Sequence, residues 1–447
     1  MGSITVTSAS ENPGDTPGPA VAPRAEAADV VVVGAGPGGA ATAAYLAGHG
    51  LDVVLLEKAT FPRDKICGDG LTPRAVKELI RLGIDTTGWA RTRGLRILGG
   101  GHTLTLDWPD NGTFPGYGLV RTRAQLDETL ARHAQARGAK LHERTSVTAP
   151  IHDDRTGRVV GVTAKLLDGR GRATGETVAY RAPVVLAADG VSSRLATAVG
   201  RHKREDRVMG VAVRAYYRTP RRDDYLESHL ELWTTDEAGQ RMLMPGYGWL
   251  FPLEDGRTNV GLGILDTSSA FGKTDYKDVM RRWVESISDT WHLELDESAG
   301  PIRGAALPMG FNRTPVYADG LLLVGDAAGM VNPFNGEGID YALEAGRVSA
   351  DVIAQALRRT SDDARERALT AYPKIIKDEL GGYFTLGRWF ARAIGNPEVM
   401  RLATKYGLPR TSLMPFLLKI MANLPEAHGG RADDRLIRAL SRIVPDA

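Results

Sequence analysis

Glycines at 34, 36 and 39 in Gly34-Ala35-Gly36-Pro37-Gly38-Gly39 have the spacing of a turn that brings backbone N–H groups against a diphosphate. Gly34 suits the tight turn, Gly36 lets main chain approach the phosphates, and Gly39 lets helix and strand pack closely. Glu57, about 20 residues further on, can accept hydrogen bonds from a ribose diol, with Lys58 beside it. A second glycine turn, Gly325-Asp326-Ala327-Ala328-Gly329, carries a single carboxylate. Cys67 opens the run Cys67-Gly68-Asp69-Gly70, a weak acid on backbone that a flat ligand can approach. Tyr247 and Trp249, two residues apart, fall on one face of a strand. Together these types suit redox chemistry on a bound dinucleotide, and at this level NAD and FAD fit equally.

A glycine turn alone would be weak support, so the elements around it decide. Residues 28–33 are an apolar, β-branched run of the kind found in buried parallel strands, and residues 40–46 are good helix formers. Residues 52–56 form the next strand, ending at Glu57. Residues 61–74 hold too much Gly and Pro for a regular element and read as a shaped loop. A helix closes over 79–82, and 95–108 alternates as strands do. An amphipathic helix begins at Arg123 and ends near Gly138, a strand pair lies around 145–147 and 159–167, and a buried strand at 184–190 runs into Asp189-Gly190. From 208 to 308 the pattern turns to strands rich in Tyr, Trp and Val, such as 228–233, 248–252 and 258–264, which predicts an antiparallel sheet. Residues 321–324 return to the nucleotide-binding unit, and beyond Gly336 the chain reads as helical.

With 447 residues, 43% of them hydrophobic, the chain can bury a large core and hold two closely packed domains. A formal charge of +2 is near balance and argues against nucleic acid as a partner. One cysteine excludes an intrachain disulfide and a multi-cysteine metal site, and the nine histidines lack metal-ligand spacing, so no metal is expected. Residues 1–27 read as a disordered tail without the basic start and apolar core of a secretory signal. No apolar stretch is long enough to span a bilayer, so any membrane contact is expected to be peripheral.

The glycine fingerprint at 34–39, the helix start at Arg123, Asp189-Gly190 and Gly325-Asp326 are similar, in order, to the landmarks of the para-hydroxybenzoate-hydroxylase-like flavoproteins. Within that family, residues 62–70, the run Gly246-Tyr247-Gly248-Trp249-Leu250-Phe251-Pro252, Gly261-Leu262-Gly263 and residues 332–342 resemble the geranylgeranyl reductase branch. The Cys-Gly-Asp-Gly-Leu-Thr-Pro-Arg-Ala-Val run is most similar to bacterial menaquinone reductases, which saturate an isoprenoid double bond of the quinone's side chain. The resemblance implies an α/β fold with a glutathione-reductase-type FAD domain, an antiparallel-sheet substrate domain and a helical C-terminal region. FAD-binding parts are expected at 28–100, 101–207 (mixed, with the 123–137 helix and the 184–190 strand) and 309–350; the substrate sheet is expected at 208–308 and the helical region at 351–447.

By the same resemblance FAD is the cofactor. Gly34, Gly36, Gly38 and Gly39 would hold its pyrophosphate; Glu57 the ribose; Cys67, Gly68, Asp69, Gly70 and Arg123 its central part; Asp326 the ribityl chain; Ala35, Pro37, Lys58, Asp189 and Gly325 are further cofactor-binding positions. The amides of Gly338 and Ile339 would face the pyrimidine edge, where a helix N-terminus favours the negative charge of reduced flavin. The implied activity is saturation of an isoprenoid carbon–carbon double bond. An unconjugated alkene accepts hydride poorly, so a proton must reach the less substituted carbon while hydride goes to the carbon where tertiary cation character develops. Tyr247 and Trp249 are the candidate aromatic faces for that charge, at about 0.5–2 kcal/mol, with core packing as the alternative. Cys67 reads as a weak acid or flavin-tuning thiol, or as a small buried hydrophobe. Glu337 fits a helix cap or loop anchor as well as an acid and is not counted as catalytic.

The implied partners are an isoprenoid lipid (menaquinone or a prenyl lipid), an electron donor that is NAD(P)H or a small redox protein, and a membrane surface. Residues 387–394 and 412–421 combine bulky apolar side chains with Arg and Lys, as interfacial helices do, although packing on the flavin domain would use the same pattern. The expected location is cytoplasmic, peripheral on the inner face of the cell membrane. The fold also hosts monooxygenases, so the alternative is an FAD-dependent monooxygenase of a hydrophobic or aromatic substrate. Neither a second nucleotide fingerprint nor a Trp-x-Trp-x-x-Pro halogenase signature is present. A flavin-containing lipid carrier without turnover is a further alternative.

Overall fold

The computed structural model describes residues 24–235, 239, 241–267, 271–426 and 430–444. Four valines, Val30–Val33, form a fully buried strand because helices cover one face of its sheet and a second sheet, built from residues 145–181, covers the other. It pairs in parallel with Val53–Leu56 on one side and Val184–Ala187 on the other; Leu321–Leu323 and Lys140–His142 extend the sheet, and Tyr317–Ala318 closes one edge. Helix Pro37–Gly48 packs on Ile339–Leu357 through small residues: a Cβ at Gly346 would stand 2.8 Å from Gly38 O, and Thr42 Oγ1 lies 3.2 Å from Ser349 Oγ. The start and the late part of the chain are thereby locked into one nucleotide-binding unit.

The substrate sheet runs Glu294–Leu295, Met209–Arg218, Arg257–Leu265, Gly246–Pro252, Tyr225–His229, Gly94–Gly99 and His102–Asp107, with Arg303–Pro308 also pairing Met209–Arg218. Its two faces are sorted by the period-2 pleat. Val213, Ala215, Tyr217, Leu250, Val260, Leu262 and Ile264 share a core with helix Tyr276–Trp291. Their strand neighbours Arg214, Tyr216, Tyr247, Trp249, Phe251 and Asn259 take the opposite face, towards the loop that carries Cys67. A slip of one residue in any of these strands would exchange the two faces.

Several boundaries differ from the expectation. Residues 1–23 of the predicted tail lie outside the described residues, but Arg24–Ala27 is a strand, parallel to Val178–Arg181, on the sheet of Thr145–His152, Val159–Leu167 and Ala173–Arg181. Backbone pairing, which composition does not reveal, orders it. The boundary between residues 100 and 101 falls inside a hairpin whose strands both belong to the substrate sheet. Helix Tyr276–Trp291 interrupts the expected run of strands; Asp275 caps it by accepting from Lys277 N at 2.9 Å, and its buried stripe is Val279, Met280, Trp283, Val284 and Trp291. Helix Ile339–Leu357 runs past the expected limit of the third FAD-binding part at 350.

Beyond it, Asp362–Leu369, Ala371–Ile376, Gly382–Ile394, Pro397–Leu402, Met414–Met421 and Ala432–Ile443 form the helical C-terminal region. No helix among the described residues is long and apolar enough to cross a membrane.

Gly39 is the tightest contact in the nucleotide fold, since a Cβ there would meet Gly34 O at 1.9 Å. Gly39→Ala is expected to force strand and helix apart, lowering unfolding free energy by roughly 1–3 kcal/mol and lowering the bound-flavin content of purified enzyme; denaturant unfolding and absorbance read both effects, and wild-type values for both would refute the contact's importance.

Candidate active site

At the C-terminal ends of the parallel strands, where ligands of open α/β sheets bind, Glu57 is buried and used. Its Oε2 accepts from Ala35 N and from Arg63 Nη2, both at 3.1 Å, and its Oε1 accepts from Ala59 N at 3.0 Å. The buried Asp127 joins two guanidiniums: it accepts from Arg123 at 2.7 and 2.8 Å and from Arg63 Nη1 at 2.8 Å. A Cβ at Gly36 would find these same Arg63 and Arg123 Nη2 atoms, at 3.9 and 4.0 Å, and nothing nearer among the described residues. Gly36 therefore faces an open space walled by two cations at the N-terminus of helix Pro37–Gly48, a cradle that fits the diphosphate of FAD. Lys58 is exposed at the rim.

Lys65 Nζ stands 4.0 Å from Asp326 Oδ2, and a Cβ at Gly190 would lie 3.3 Å from the same ammonium. Asp326 Oδ1 in turn lies 3.5 Å from the Cβ position of Gly338. The turns at 189–190, 325–326 and 338–339 thus converge. Asp189 holds its own loop: Oδ2 accepts from Leu195 N at 3.3 Å, while Oδ1 is buried with no hydrogen-bond partner among the described residues. Gly338 precedes helix Ile339–Leu357 with no side chain capping it, which leaves the first N–H groups for a ligand.

Asp69, fully buried, organises the Cys67 loop. Its Oδ1 accepts from Arg123 N at 3.0 Å; its Oδ2 accepts from Tyr216 OH at 2.5 Å and from Asn259 Nδ2 at 2.7 Å. Asn259 Nδ2 also donates to Cys67 O at 2.8 Å, and Asn259 Oδ1 accepts from Trp249 Nε1 at 2.9 Å. Arg214, buried above the Tyr216 ring, pairs with Asp64 of the same loop. Burial pushes the Asp69 carboxyl up to about 6, against the lowering effect of its hydrogen bonds to Tyr216 and Asn259. Burial likewise raises the Cys67 thiol, opposed by Arg123. Cys67 Sγ accepts from Asp69 N at 3.4 Å.

Tyr247 and Trp249 stand side by side with ring centroids 6.0 Å apart, and Phe251 continues the row at 6.2 Å from Trp249. A Cβ at Gly68 would touch Phe251 at 3.1 Å and Trp249 Nε1 at 3.3 Å, so the row lies directly on the Cys67–Gly70 backbone. Trp249 is buried, with 5% of its surface exposed, and its N–H is committed to Asn259; Tyr247 is half-buried and donates from its hydroxyl to Asn335 O at 2.6 Å. Burial raises the Tyr247 phenol, and the charges of Glu337 and Cys67 raise it further. Tyr247, Cys67 and Glu337 therefore share one electrostatic neighbourhood.

Sequence reasoning passed over Arg63, Asp127, Tyr216 and Asn259. The i,i+4 spacing of Arg123 and Asp127 was a usable signal. Asn259 had none, because its partners on the Cys67 loop lie 190 and more residues away. Among the described residues no group of three or more His, Cys, Asp or Glu side chains could hold a metal.

A doubly covered parallel sheet with a Gly36 cradle, joined to a mixed sheet that is antiparallel except where Tyr225–His229 pairs in parallel with Gly94–Gly99 and that presents aromatics to the cofactor side, defines a para-hydroxybenzoate-hydroxylase-like flavoprotein with FAD as its cofactor. Residues 27–374 match the family model described as FAD binding domain. The chain belongs to that family and, within it, to the geranylgeranyl reductase branch. A menaquinone reductase of Mycobacterium tuberculosis is 39% identical over 404 residues, covering 89% of this chain and 92% of the relative. Digeranylgeranylglycerophospholipid reductase 2 of Methanopyrus kandleri is 32% identical over 368 residues, covering 80% and 84%. Among solved structures, a geranylgeranyl bacteriochlorophyll reductase-like protein from Thermoplasma acidophilum superposes with a TM-score of 0.72 at 23% identity, over 93% of this chain and all of that one. A flavin-dependent brominase superposes with a TM-score of 0.69 at 20% identity, over 93% and 98%.

Folding raises Asp69 from the ordinary carboxylate value of about 4 to about 6. Between those values the native state holds a proton that the unfolded chain has released, so this group costs stability as pH rises through the window, and the full cost is present above it. Asp69→Asn is expected to remove the effect: the stability difference between wild type and variant should change by on the order of 2 kcal/mol between pH 4 and 6. Parallel pH curves in denaturant unfolding would reject the assignment.

Proposed function

We propose that the protein is an FAD-dependent oxidoreductase that saturates a carbon–carbon double bond of an isoprenoid lipid chain, with the menaquinone side chain as substrate. The observation that carries this reading is the row Tyr247, Trp249 and Phe251 lying on the Cys67–Gly70 loop, in a chain 39% identical to a menaquinone reductase. Bound FAD supplies hydride; the protein's own residues do the rest. Gly34 to Gly39, Arg63, Arg123 and Glu57 would hold the nucleotide, with Lys58 nearby, and Asp189, Gly325 and Asp326 would hold the ribityl side. The Gly338 and Ile339 amides would be available to the pyrimidine edge.

The aromatic row excludes water, aims the chain and faces the carbon that becomes electron-poor. Trp249 does so from a locked position, since Asn259 ties its indole to the loop. Cys67, kept as a neutral thiol by burial, faces the reacting alkene. The electron donor is NAD(P)H or a small redox protein.

We further propose that the lipid is taken from the inner face of the cell membrane. Trp389, Leu402, Tyr406 and Leu413 expose 40–56% of their surface in the C-terminal region, and Arg401, Lys405 and Arg410 lie among them in the sequence. That mixture suits the boundary between acyl chains and anionic headgroups.

Anaerobically reduced enzyme mixed with menaquinone should yield product heavier by two hydrogens in its side chain by mass spectrometry. Added oxygen in an aerobic mixture with NAD(P)H would instead identify a monooxygenase, and an unchanged lipid would leave a carrier. In the same assay Cys67→Ala is expected to slow turnover at undiminished flavin content, and unimpaired turnover would remove the thiol from the chemistry. In sedimentation with anionic vesicles, a Trp389→Asp, Leu402→Asp variant is expected to bind at least ~10-fold more weakly than wild type, given about 1.5–3 kcal/mol for each large apolar side chain buried; equal binding would contradict the membrane face.

A further inference from the structure

The described mechanism leaves one buried acidic pair unused. Glu337 lies between Gly336 and Gly338, immediately before helix Ile339–Leu357, and Asp340 occupies that helix's first turn. Glu337 Oε2 and both carboxylate oxygens of Asp340 are buried with no hydrogen-bond partner among the described residues, and Asp340 is 2% exposed. The Tyr341 N–H approaches the Asp340 carboxylate and the Asn335 side chain approaches that of Glu337, without closing a hydrogen bond to these three oxygens. The loop around Glu337 is nevertheless rigid: Asn335 Oδ1 accepts from Glu337 N at 3.0 Å, Asn332 N donates to Glu337 O at 2.7 Å, and Tyr247 OH donates to Asn335 O.

We propose that Glu337 is the acid that protonates the alkene, with Asp340 as the positioning residue that keeps it protonated; the assignment rests on the isoprenoid reductase reading above. Two buried carboxyls side by side cannot both ionise cheaply, so one proton stays on the pair. Burial raises Glu337 well above the ordinary carboxylate range, and the charge of Asp340 raises it further. The groups facing it are Tyr341 of the same helix and, from other elements, Arg74, whose guanidinium opposes the rise while bound to Glu344 at 2.6 Å, with Tyr247 and Tyr383; all three phenols are held neutral.

The step balances. Hydride from reduced FAD forms one C–H bond at the more substituted carbon, the π electrons form the second with the carboxyl proton, the O–H bond breaks, and Glu337 is left as carboxylate. One negative charge passes from the reduced cofactor to the protein, so the slot holds the same net charge before and after. Cys67 and Tyr247, the neighbouring acidic groups, have pKa values raised from ordinary values already well above those of a carboxyl, which makes them weaker acids.

The test is Glu337→Gln in the FAD-loaded enzyme. With menaquinone and anaerobically reduced enzyme, formation of saturated product should slow by about 100-fold or more at unchanged FAD content. Independently of substrate, the reduced-minus-oxidised infrared spectrum of wild type should show a protonated-carboxyl band that the variant lacks. A wild-type rate, or retention of that band, overturns the assignment. If Glu337→Gln loses FAD, Asp340→Asn decides: removing the neighbouring charge should move the alkaline limb of the pH–rate profile to lower pH, and an unmoved limb overturns the proposal. Absence of saturated product from wild type itself would instead sink the isoprenoid reading, while the infrared result would still report whether Glu337 carries the proton.

Discussion

Asp69 has no surface in contact with water, and three donors from three parts of the chain converge on it. Arg123 N belongs to the nucleotide-binding unit, Tyr216 and Asn259 to the substrate sheet, and Asp69 itself to the loop between them. A buried carboxylate that loses a donor is left with an unsatisfied charge, whose cost exceeds that of an ordinary missing hydrogen bond. The two halves of the molecule are therefore held in one relative position at the point where cofactor and substrate must meet. Arg214 on Asp64 and Asn259 on Cys67 O reinforce the same junction from the same sheet face.

The sheet that supplies these groups works because its pleat separates two tasks. One face is an apolar core against helix Tyr276–Trp291 and carries the stability. The other carries a row of aromatics and hydrogen-bonding side chains that would be costly to bury in an ordinary core. They are tolerated because Tyr216, Asn259 and Arg214 find partners on the Cys67 loop, while Trp249 donates to Asn259 and Tyr247 to Asn335 O. Rigidity of that kind suits hydride transfer, where a small displacement of donor from acceptor costs rate.

Electrostatically the slot favours neutral acids. Burial raises Cys67, Tyr247, Glu337 and Asp340, Asp340 reaching about 7, while Arg74 and Arg123 supply the positive charge that limits the rise. Arg123 is itself neutralised by Asp127, so its charge is positioned without being free to attract a second carboxylate. On the proposed reading, buried neutral acids beside one helix N-terminus suit an anionic reduced flavin and an uncharged alkene.

The nucleotide half of this protein was readable from sequence because its determinants are local. A valine run, three glycines at fixed spacing, a helix former and an acid at the next strand end all act over about 30 residues of a single βαβ unit, and the backbone geometry they demand admits few other side chains. The tail strand Arg24–Ala27, the hairpin shared between domains and helix Tyr276–Trp291 were misjudged or passed over because pairing partners or a cap within a strand-rich stretch decided them. Tyr247, Trp249 and Cys67 were visible as residue types, but that Asn259, which holds the Trp249 indole, also ties it to the Cys67 loop, and that Asp69 binds the sheet, depends on contacts across roughly 150–190 residues. The same holds for Glu337, which reads as a cap until its carboxyl is seen buried beside Asp340 with its Oε2 unpaired. Local sequence determines where glycine and hydrophobic periodicity must fall; only the folded chain decides which polar groups lose water together, and that desolvation sets their acidity and their chemistry.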